Sequence, residues 1–190
     1  PTWQPVQKEL EDYRCRVGMG YTTITGAYKG IQGQITYFVP LGENRELWVA
    51  KIKNNTNTKK KLQVYTYAEF CFFDATIDQQ DVDWAQQINQ SYFDKKHNTI
   101  FFYSFMRTQG YSFFSTNGKV SSFDCDREKF LGRYHSESNP VALENGSCSN
   151  SVTYRGNSVG STCNEIELSP GEETELIFQV GVTDNPEAAY

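Results

Sequence analysis

The sequence has few of the residues and motifs that support most hydrolytic and metal chemistry. It contains only two histidines, His97 and His135, which stand in unrelated polar contexts. It has no C-x-x-C pair and no H-E-x-x-H or G-x-x-x-x-G-K-[ST] segment. These absences argue against a zinc site and a phosphate-cradling loop. The spacing of the residues does not exclude a Ser-His-Asp catalytic triad, but no feature of the sequence around either histidine supports one. We expect both histidines to be structural or surface residues.

Concentrated positive charge and long apolar runs are also lacking. The net charge is -5 at pH 7, and the one basic cluster, Lys59 to Lys61, is expected at a solvated hairpin tip. A nucleic-acid partner would need a concentrated basic footprint. No apolar run approaches the roughly 20 residues of a membrane span, and no signal peptide is recognisable. We therefore expect neither nucleic acid nor a membrane as a partner.

The five cysteines are an odd number and show no metal-binding spacing. Cys71 lies in an apolar, strand-like run, where a thiol behaves as a small hydrophobic group. Reduced cysteines of this kind are typical of cytosolic proteins, so we expect a cytoplasmic location and no disulfide framework.

Helical periodicity is nearly absent, whereas apolar and polar residues alternate between turn signals spaced about ten residues apart. With twelve Tyr and thirteen Phe, this pattern predicts one all-β domain, an antiparallel sandwich or barrel, over residues 1–190. The segment 62–73 exceeds the usual strand length and predicts a bend or bulge. The predicted strands are 22–28, 31–39, 46–53, 62–73, 98–106, 164–168 and 174–182.

Two further segments interrupt this pattern. Residues 124–132 predict one short helix, with acidic residues early and Gly132 as its stop. Residues 136–161 form a long polar connection rich in Gly and Asn. A connection of that length in a compact domain is usually functional or packed against another element.

The segment 81–90 combines an aromatic ring with several hydrogen-bonding side chains. Sugars present apolar ring faces edged by hydroxyl groups, and their sites pair a flat aromatic with amides and carboxylates. This composition indicates a carbohydrate contact, while a protein interface with Trp as its anchor is the competing interpretation. The residues concerned are Asp83, Trp84, Gln86, Gln87 and Asn89.

The aspartates of this region allow other interpretations. Paired carboxylates cleave glycosidic bonds when their separation is right, and Asp81 with Asp83 could contribute to an oxygen-lined cation site. Neither signal is specific, because acidic residues are common in solvated loops. Asp74 and Asp78 precede them and belong to the same acidic group.

Nine collinear motifs resemble one family, glycoside hydrolase family 94, the cellobiose and chitobiose phosphorylases. The resemblance covers essentially the whole chain and points to the N-terminal β-sandwich of these enzymes, of the super-sandwich type. The motifs are W-Q-P (3–5), Y-R-C-R-V-G-M-G-Y-T (13–22), Y-F-V-P-L-G (37–42), E-L-W (46–48), Y-A-E-F-C (67–71), F-D-C-D-R-E-K-F-L-G (123–132), S-N-P-V-A-L-E-N-G (138–146), C-S-N-S (148–151) and L-S-P-G-E (168–172).

The resemblance implies an inverting phosphorolysis. Inorganic phosphate, the co-substrate, attacks the anomeric carbon of a β-linked disaccharide, and an aspartic acid protonates the leaving sugar. The products are an α-sugar 1-phosphate and a free sugar, and no other cofactor is implied. In the family, the catalytic acid and phosphate site lie on an (α/α)6 barrel that follows the sandwich. We therefore expect a sandwich incomplete at its N-terminus, without catalytic residues of its own.

The resemblance also implies homodimers in which a sandwich loop reaches the partner's active site and shapes the acceptor-sugar site. That loop corresponds to residues 74–92, which makes Asp83, Trp84, Gln86 and Gln87 the candidate acceptor-binding residues. Cellobiose-type members carry Gln-Arg where this sequence has Ala85 and Gln86. The difference puts a cellobiose specificity in doubt and leaves open a modified glucose, an aldonic acid or a differently linked glucose.

Two other functions remain open at this stage. A stand-alone carbohydrate-binding or interaction module would have the same composition without any link to catalysis. Related sandwiches also precede barrels that transfer or elongate glucans. For Arg127 and Asn150, which lie in well-matched motifs, we expect structural roles, a buried Arg-carboxylate clamp and a turn-stabilising Asn.

Overall fold

A computed structural model describes residues 9–106 and 110–188, so the W-Q-P motif at residues 3–5 lies outside the described residues. The described part of the chain contains thirteen strands and a few short helices. The strands are β1 Asp12–Gly18, β2 Tyr21–Tyr28, β3 Ile31–Phe38, β4 Arg45–Asn54, β5 Lys60–Tyr65, β6 Ala68–Glu69, β7 Asn89–Asp94, β8 Thr99–Ser104, β9 Tyr111–Thr116, β10 Val120–Asp126, β11 Thr153–Tyr154, β12 Ser158–Leu168 and β13 Glu173–Thr183. The helices are α1 Ala75–Gln80, α2 Val82–Gln86, α3 Arg127–Leu131, α4 Val141–Asn145 and a 3-10 turn at Pro186–Ala188.

Two antiparallel sheets confirm the predicted sandwich. Within the described residues the larger sheet has nine strands in the order β1-β2-β3-β4-β13-β9-β8-β7-β11, and the smaller has the order β10-β12-β5, with β6 also paired to β12. β13, the last described strand, is hydrogen-bonded to β4 on one side and to β9 on the other. It therefore joins the half of the large sheet formed by β1 to β4 to the half formed by β7 to β9 and β11.

The core between the sheets is built from the alternating apolar residues of the strands. Buried members include Ile35, Ala50, Phe102, Phe114 and Phe178. Phe114 and Phe178 stack with ring centroids 6.2 Å apart. Burial of each phenyl side chain contributes roughly 1.5–3 kcal/mol, so the aromatic content found in the sequence supplies much of the stability.

The long predicted strand at 62–73 bends, as expected, and divides into β5 and β6. Thr66 lies at the break, where its hydroxyl is 2.9 Å from that of Thr162 on β12. Strand pairing does not continue to residue 73 as expected, because the N–H groups of Phe72 and Phe73 donate to the carboxylate of Asp78. Cys71 accordingly lies outside the strands and is exposed, which corrects its prediction as a core thiol.

The helix prediction was right about α3 and incomplete for the rest of the chain. Asp126 caps the N-terminus of α3, and Gly132 ends it with a φ of 95°. The structure adds α1, α2 and α4, each of five or six residues. Such short helices leave no periodic signal, which needs a window of about 11 residues or more.

The connection at 136–161 is more ordered than its composition predicts. It contains α4 and β11, and β12 begins at Ser158 rather than near residue 164. Seven consecutive polar or small residues of β12, 158–164, are buried, so they carry no alternation that would mark a strand. Part of the connection is held against the sandwich by Asp124, which binds Ser149 and Ser151.

Candidate functional site

The predicted loop at 74–92 folds as two consecutive short helices, α1 and α2, followed by β7. Three of its aspartates have structural roles. Asp74 caps α1 by accepting from Thr76 and Ile77, and Asp81 caps α2 by accepting from the Trp84 N–H. Asp78 binds the chain that precedes α1. These carboxylates therefore shape the segment and are not available as a catalytic pair.

Asn89 fixes α2 to the sandwich. Its side-chain amide donates to the carbonyl oxygens of Ala85 and Gln86, both at 3.1 Å. Its Oδ1 atom accepts a 2.7 Å hydrogen bond from the hydroxyl of Ser158 on β12. Asn89 and Ala85 are both fully buried. Asn89 therefore anchors the segment and does not take part in the contact surface predicted from its residue type.

The four predicted acceptor-binding residues lie together on α2 and its C-terminal cap. Asp83, Gln86 and Gln87 are three and four residues apart, so they share one side of the helical turn. Asp83, Trp84 and Gln87 are exposed and Gln86 is half-buried. The structure gives none of these four side chains a hydrogen bond to another described residue. We call this surface, formed by Asp83, Trp84, Gln86 and Gln87, the α2 face.

Trp84 is held in place without being buried. Its indole packs edge-on against Phe73 at 5.7 Å between centroids, and 38% of the residue remains exposed. An aromatic ring that is fixed on one side and open on the other can contact a flat apolar surface at low entropic cost. The α2 face thus offers one ring, two amides and one carboxylate to an external partner.

The structure also brings to this site residues that the sequence did not single out. The N–H of Phe105 donates to the carbonyl of Ile88 at 2.6 Å, and that of Arg155 donates to the carbonyl of Asn89 at 2.9 Å. The ring of Tyr154, which precedes Arg155, is 5.6 Å from that of Phe105. These residues are far from α2 in sequence, and no local motif marks them.

The remaining candidates have structural partners. His97 is 2.7 Å from Asp94, and His135 contacts the carbonyl of Asn139 at 2.8 Å. Asn150 has a φ of 58°, and its side chain accepts a hydrogen bond from the N–H of Phe123 on β10, so its role is structural but links two segments rather than closing a turn. Arg127 forms the expected clamp with two carboxylates, Glu69 at 3.0 Å and Glu137 at 3.1 Å. The clamp is half-exposed rather than buried, because α3 lies at the surface.

A second concave feature lies inside the sandwich, away from α2. It is a cleft of about 380 Å³ between β3 and β4 on one side and β5, α3 and α4 on the other. Its lining is mostly apolar and includes Tyr37, Trp48, Val64, Tyr67, Phe130 and Leu143. None of the residues predicted from the sequence to bind a sugar lines it.

No helix between residues 9 and 106 or between 110 and 188 has the length and apolar character needed to cross a membrane. In the same ranges, no three His, Cys, Asp or Glu side chains gather in a way that could hold a metal ion.

Comparison with known proteins gives a consistent result. The family described as glycosyl hydrolase 94, supersandwich domain, matches residues 1–190. An N,N'-diacetylchitobiose phosphorylase of Vibrio proteolyticus is 32% identical over 95% of this chain and 23% of its own length. A solabiose phosphorylase of Paenibacillus borealis is 26% identical over 100% of this chain and 25% of its own length. This chain thus spans about a quarter of the curated relatives it matches.

Among solved structures, a bacterial glucoamylase in complex with acarbose shares the fold. It aligns with a TM-score of 0.56 at 14% identity, over 94% of this chain and 25% of its own.

Proposed function

Because the chain belongs to the glycosyl hydrolase 94 family and matches its supersandwich domain, we propose that it is the N-terminal part of an inverting disaccharide phosphorylase. The names of the relatives, N,N'-diacetylchitobiose phosphorylase and solabiose phosphorylase, support this proposal. In the proposed reaction, inorganic phosphate displaces one sugar of a β-linked disaccharide. An α-sugar 1-phosphate and a free acceptor sugar result.

The proposal assigns the chemical step to a helical barrel carried by the same polypeptide outside this chain. A single displacement needs a general acid for the leaving sugar and a cationic site for phosphate. Both must lie within hydrogen-bonding distance of the glycosidic bond. The α2 face has no basic residue, so it lacks the cationic site for phosphate that the displacement needs, and its chemistry fits sugar binding.

The role proposed for this domain is to shape the acceptor site of the partner subunit in a homodimer. The observation that carries it is the α2 face, whose side chains are exposed or, at Gln86, half-buried and have no hydrogen-bond partners within the described chain. The indole of Trp84 provides a surface for the apolar face of a pyranose. The carboxylate of Asp83 accepts, and the amides of Gln86 and Gln87 donate and accept, as a ring edged with hydroxyl groups requires.

Anchoring of this face is a further reason to assign it a binding role. Asn89 and the caps formed by Asp74 and Asp81 fix α1 and α2 without using the exposed side chains. A contact surface held by such hydrogen bonds loses less conformational freedom on binding than a mobile loop does. Homodimerisation and a cytoplasmic location belong to the same proposal. Sedimentation of the full-length protein and fractionation of producing cells test them.

Synthesis of a disaccharide by the full-length protein that carries this chain tests the central proposal. The protein is incubated with α-glucose 1-phosphate or α-N-acetylglucosamine 1-phosphate and with glucose or N-acetylglucosamine as acceptor. We expect release of inorganic phosphate that depends on both sugars, together with a β-linked product. Sugar binding without phosphate release would favour a non-catalytic carbohydrate-binding module, and formation of long glucans would favour a glucan-elongating enzyme.

A further inference from the structure

Phe105, Tyr154 and Arg155 form an exposed patch beside the α2 face, which we call the aromatic-arginine patch. The rings of Phe105 and Tyr154 are tilted by 51° with centroids 5.6 Å apart. Phe105 is 40% and Tyr154 62% exposed. The guanidinium of Arg155 lies 5.3 Å from the centroid of Tyr154. Two apolar rings and one cation are therefore presented together at the surface.

Main-chain hydrogen bonds tie this patch to α2. Phe105 donates to Ile88, directly after α2, and Arg155 donates to Asn89. Asn89 in turn donates from its side chain to the carbonyls of Ala85 and Gln86. These hydrogen bonds place the patch at the chain segment that directly follows Gln86 and Gln87. The patch therefore lies beside the C-terminal end of α2.

The backbone of Arg155 adopts a conformation that is uncommon for a residue other than glycine. Its φ is 58°, in the left-handed region that Gly and Asn adopt most readily. Strained residues of this kind concentrate at functional sites, and the inference runs from the observed outlier to a function. Here the outlier lies in the turn between β11 and β12, with the guanidinium above the ring of Tyr154.

The charge of Arg155 is available to a ligand. The structure gives its guanidinium no ion pair with a carboxylate of residues 9–106 or 110–188. A guanidinium presents several donors in a planar fork that matches carbonyl and carboxylate oxygens, and an aromatic ring beneath it restricts its orientation. The open surfaces of Phe105 and Tyr154 suit the apolar face of a pyranose.

We propose that the aromatic-arginine patch contacts the acceptor saccharide together with the α2 face. Arg155 donates hydrogen bonds to a carbonyl or carboxylate oxygen carried by that sugar. This inference rests on the acceptor role proposed for α2. It adds three specificity residues: Tyr154 of β11, Arg155 in the turn after β11, and Phe105 directly after β8. It also names a ligand class, pyranoses with an acetamido or carboxylate substituent.

The test compares two doubly substituted full-length proteins. Tyr154→Ala/Arg155→Ala removes two of the three side chains of the patch, and Arg133→Ala/Tyr134→Ala removes another exposed Arg-Tyr pair, after α3, as the control. Both are assayed in the synthetic direction with N-acetylglucosamine, glucuronic acid and glucose as acceptors. We expect the patch variant to raise the KM for at least one of the two substituted acceptors about tenfold or more. The KM for the sugar 1-phosphate should change little. Arg155→Lys, which keeps the charge but loses the fork, should restore only part of the affinity.

Trp84→Ala, assayed in parallel, separates this inference from the proposed function. If Trp84→Ala raises the acceptor KM and the patch variant does not, the patch inference is wrong and the role of α2 stands. If neither variant changes it, both are wrong. If the patch variant dissociates the oligomer in sedimentation with its acceptor KM unchanged, the patch is a protein interface and the saccharide inference is overturned. An equal loss for glucose would contradict the assigned role of Arg155.

Discussion

The carboxylate of Asp124 accepts hydrogen bonds from both the backbone N–H and the hydroxyl of Ser151, at 3.1 and 2.7 Å. The same fully buried carboxylate binds the N–H and hydroxyl of Ser149. Two of the sequence motifs, F-D-C-D-R-E-K-F-L-G and C-S-N-S, therefore meet at one side chain. The hydrogen bonds of Asp124 hold the segment before β11 against β10.

Asp124→Asn should destabilise the fold strongly. The substitution keeps the shape but replaces one accepting oxygen with a donor that faces other donors. Loss of charge-assisted hydrogen bonds and the unsatisfied groups left behind should cost about 2–4 kcal/mol of unfolding free energy. Urea denaturation measures the change, and Asp12→Asn, at an exposed position of β1, is the control. Equal unfolding free energies of the two variants would show that the hydrogen bonds of Asp124 do not stabilise the fold.

Trp84→Ala should weaken acceptor binding and leave folding intact. Because the indole is partly exposed and touches Phe73 on one side, its removal should lower the unfolding free energy by about 1 kcal/mol. In synthesis by the full-length protein, the KM for the acceptor should rise more than that for the sugar 1-phosphate. Trp84→Phe, which keeps a ring, should retain most of the affinity. A similar rise in both KM values would count against an acceptor role.

Asn89→Ala should loosen α2 while the sandwich remains folded. The substitution removes the hydrogen bonds donated to the carbonyls of Ala85 and Gln86. It also leaves the hydroxyl of Ser158 without the oxygen to which it donates. We expect a loss of about 2–3 kcal/mol and faster hydrogen exchange of the amides of residues 82–88 than of the β13 amides. Gln87→Ala, on the exposed side of the same turn, should leave exchange unchanged. Uniform acceleration across the chain would instead indicate global destabilisation.

Alkaline pH should reduce stability through the buried thiols. Burial, together with the negative charge of Asp124, raises the pKa of Cys148 to about 12 from its ordinary value of 9.0. An unfolded thiol ionises near pH 9 while the folded one stays protonated. The contribution of Cys148 is therefore complete below pH 9 and is lost as pH rises towards 12. Between pH 9 and 10.5 the loss should be on the order of 2 kcal/mol.

Urea titrations at several pH values check this dependence. Cys148→Ala should flatten the fall of unfolding free energy above pH 9, whatever its effect at pH 7. Cys15→Ala, which alters an exposed thiol on β1, should leave the slope unchanged. An identical slope in both variants would show that Cys148 does not titrate on unfolding.

The sequence predicts the features that depend on neighbouring residues. The alternation in β2, β3, β4 and β13 is local, and the predicted bounds of these strands agree with the structure to within one residue at each end. The N-cap Asp126 and the stop Gly132 mark α3 in the same way. The predicted grouping of Asp83, Trp84, Gln86 and Gln87 follows from their adjacency in the chain, and α2 exposes Asp83, Trp84 and Gln87 on its surface.

Other features depend on contacts between distant segments. No local sequence pattern indicates that β13 lies between β4 and β9. The first half of β12 was not predicted as a strand, because its buried residues include Ser and Thr and show no apolar-polar alternation. Asn89 was grouped with the contact residues because its type suits hydrogen bonding, yet its partners lie inside the fold. Tyr154 and Arg155 reach α2 only through the pairing of β11 with β7.

The central position of β13 has a consequence for the order of assembly. During synthesis, β1 to β4 and β7 to β9 are complete well before residues 173–183 leave the ribosome. Until then β4 and β9 have open edges, and such edges invite pairing with other chains. The two parts can become one sheet only when this late strand arrives, so the rate of folding depends on contacts between residues far apart in the chain. A nascent chain stalled before residue 173 should therefore be prone to aggregation, and one extended a short distance beyond residue 183 should be protected.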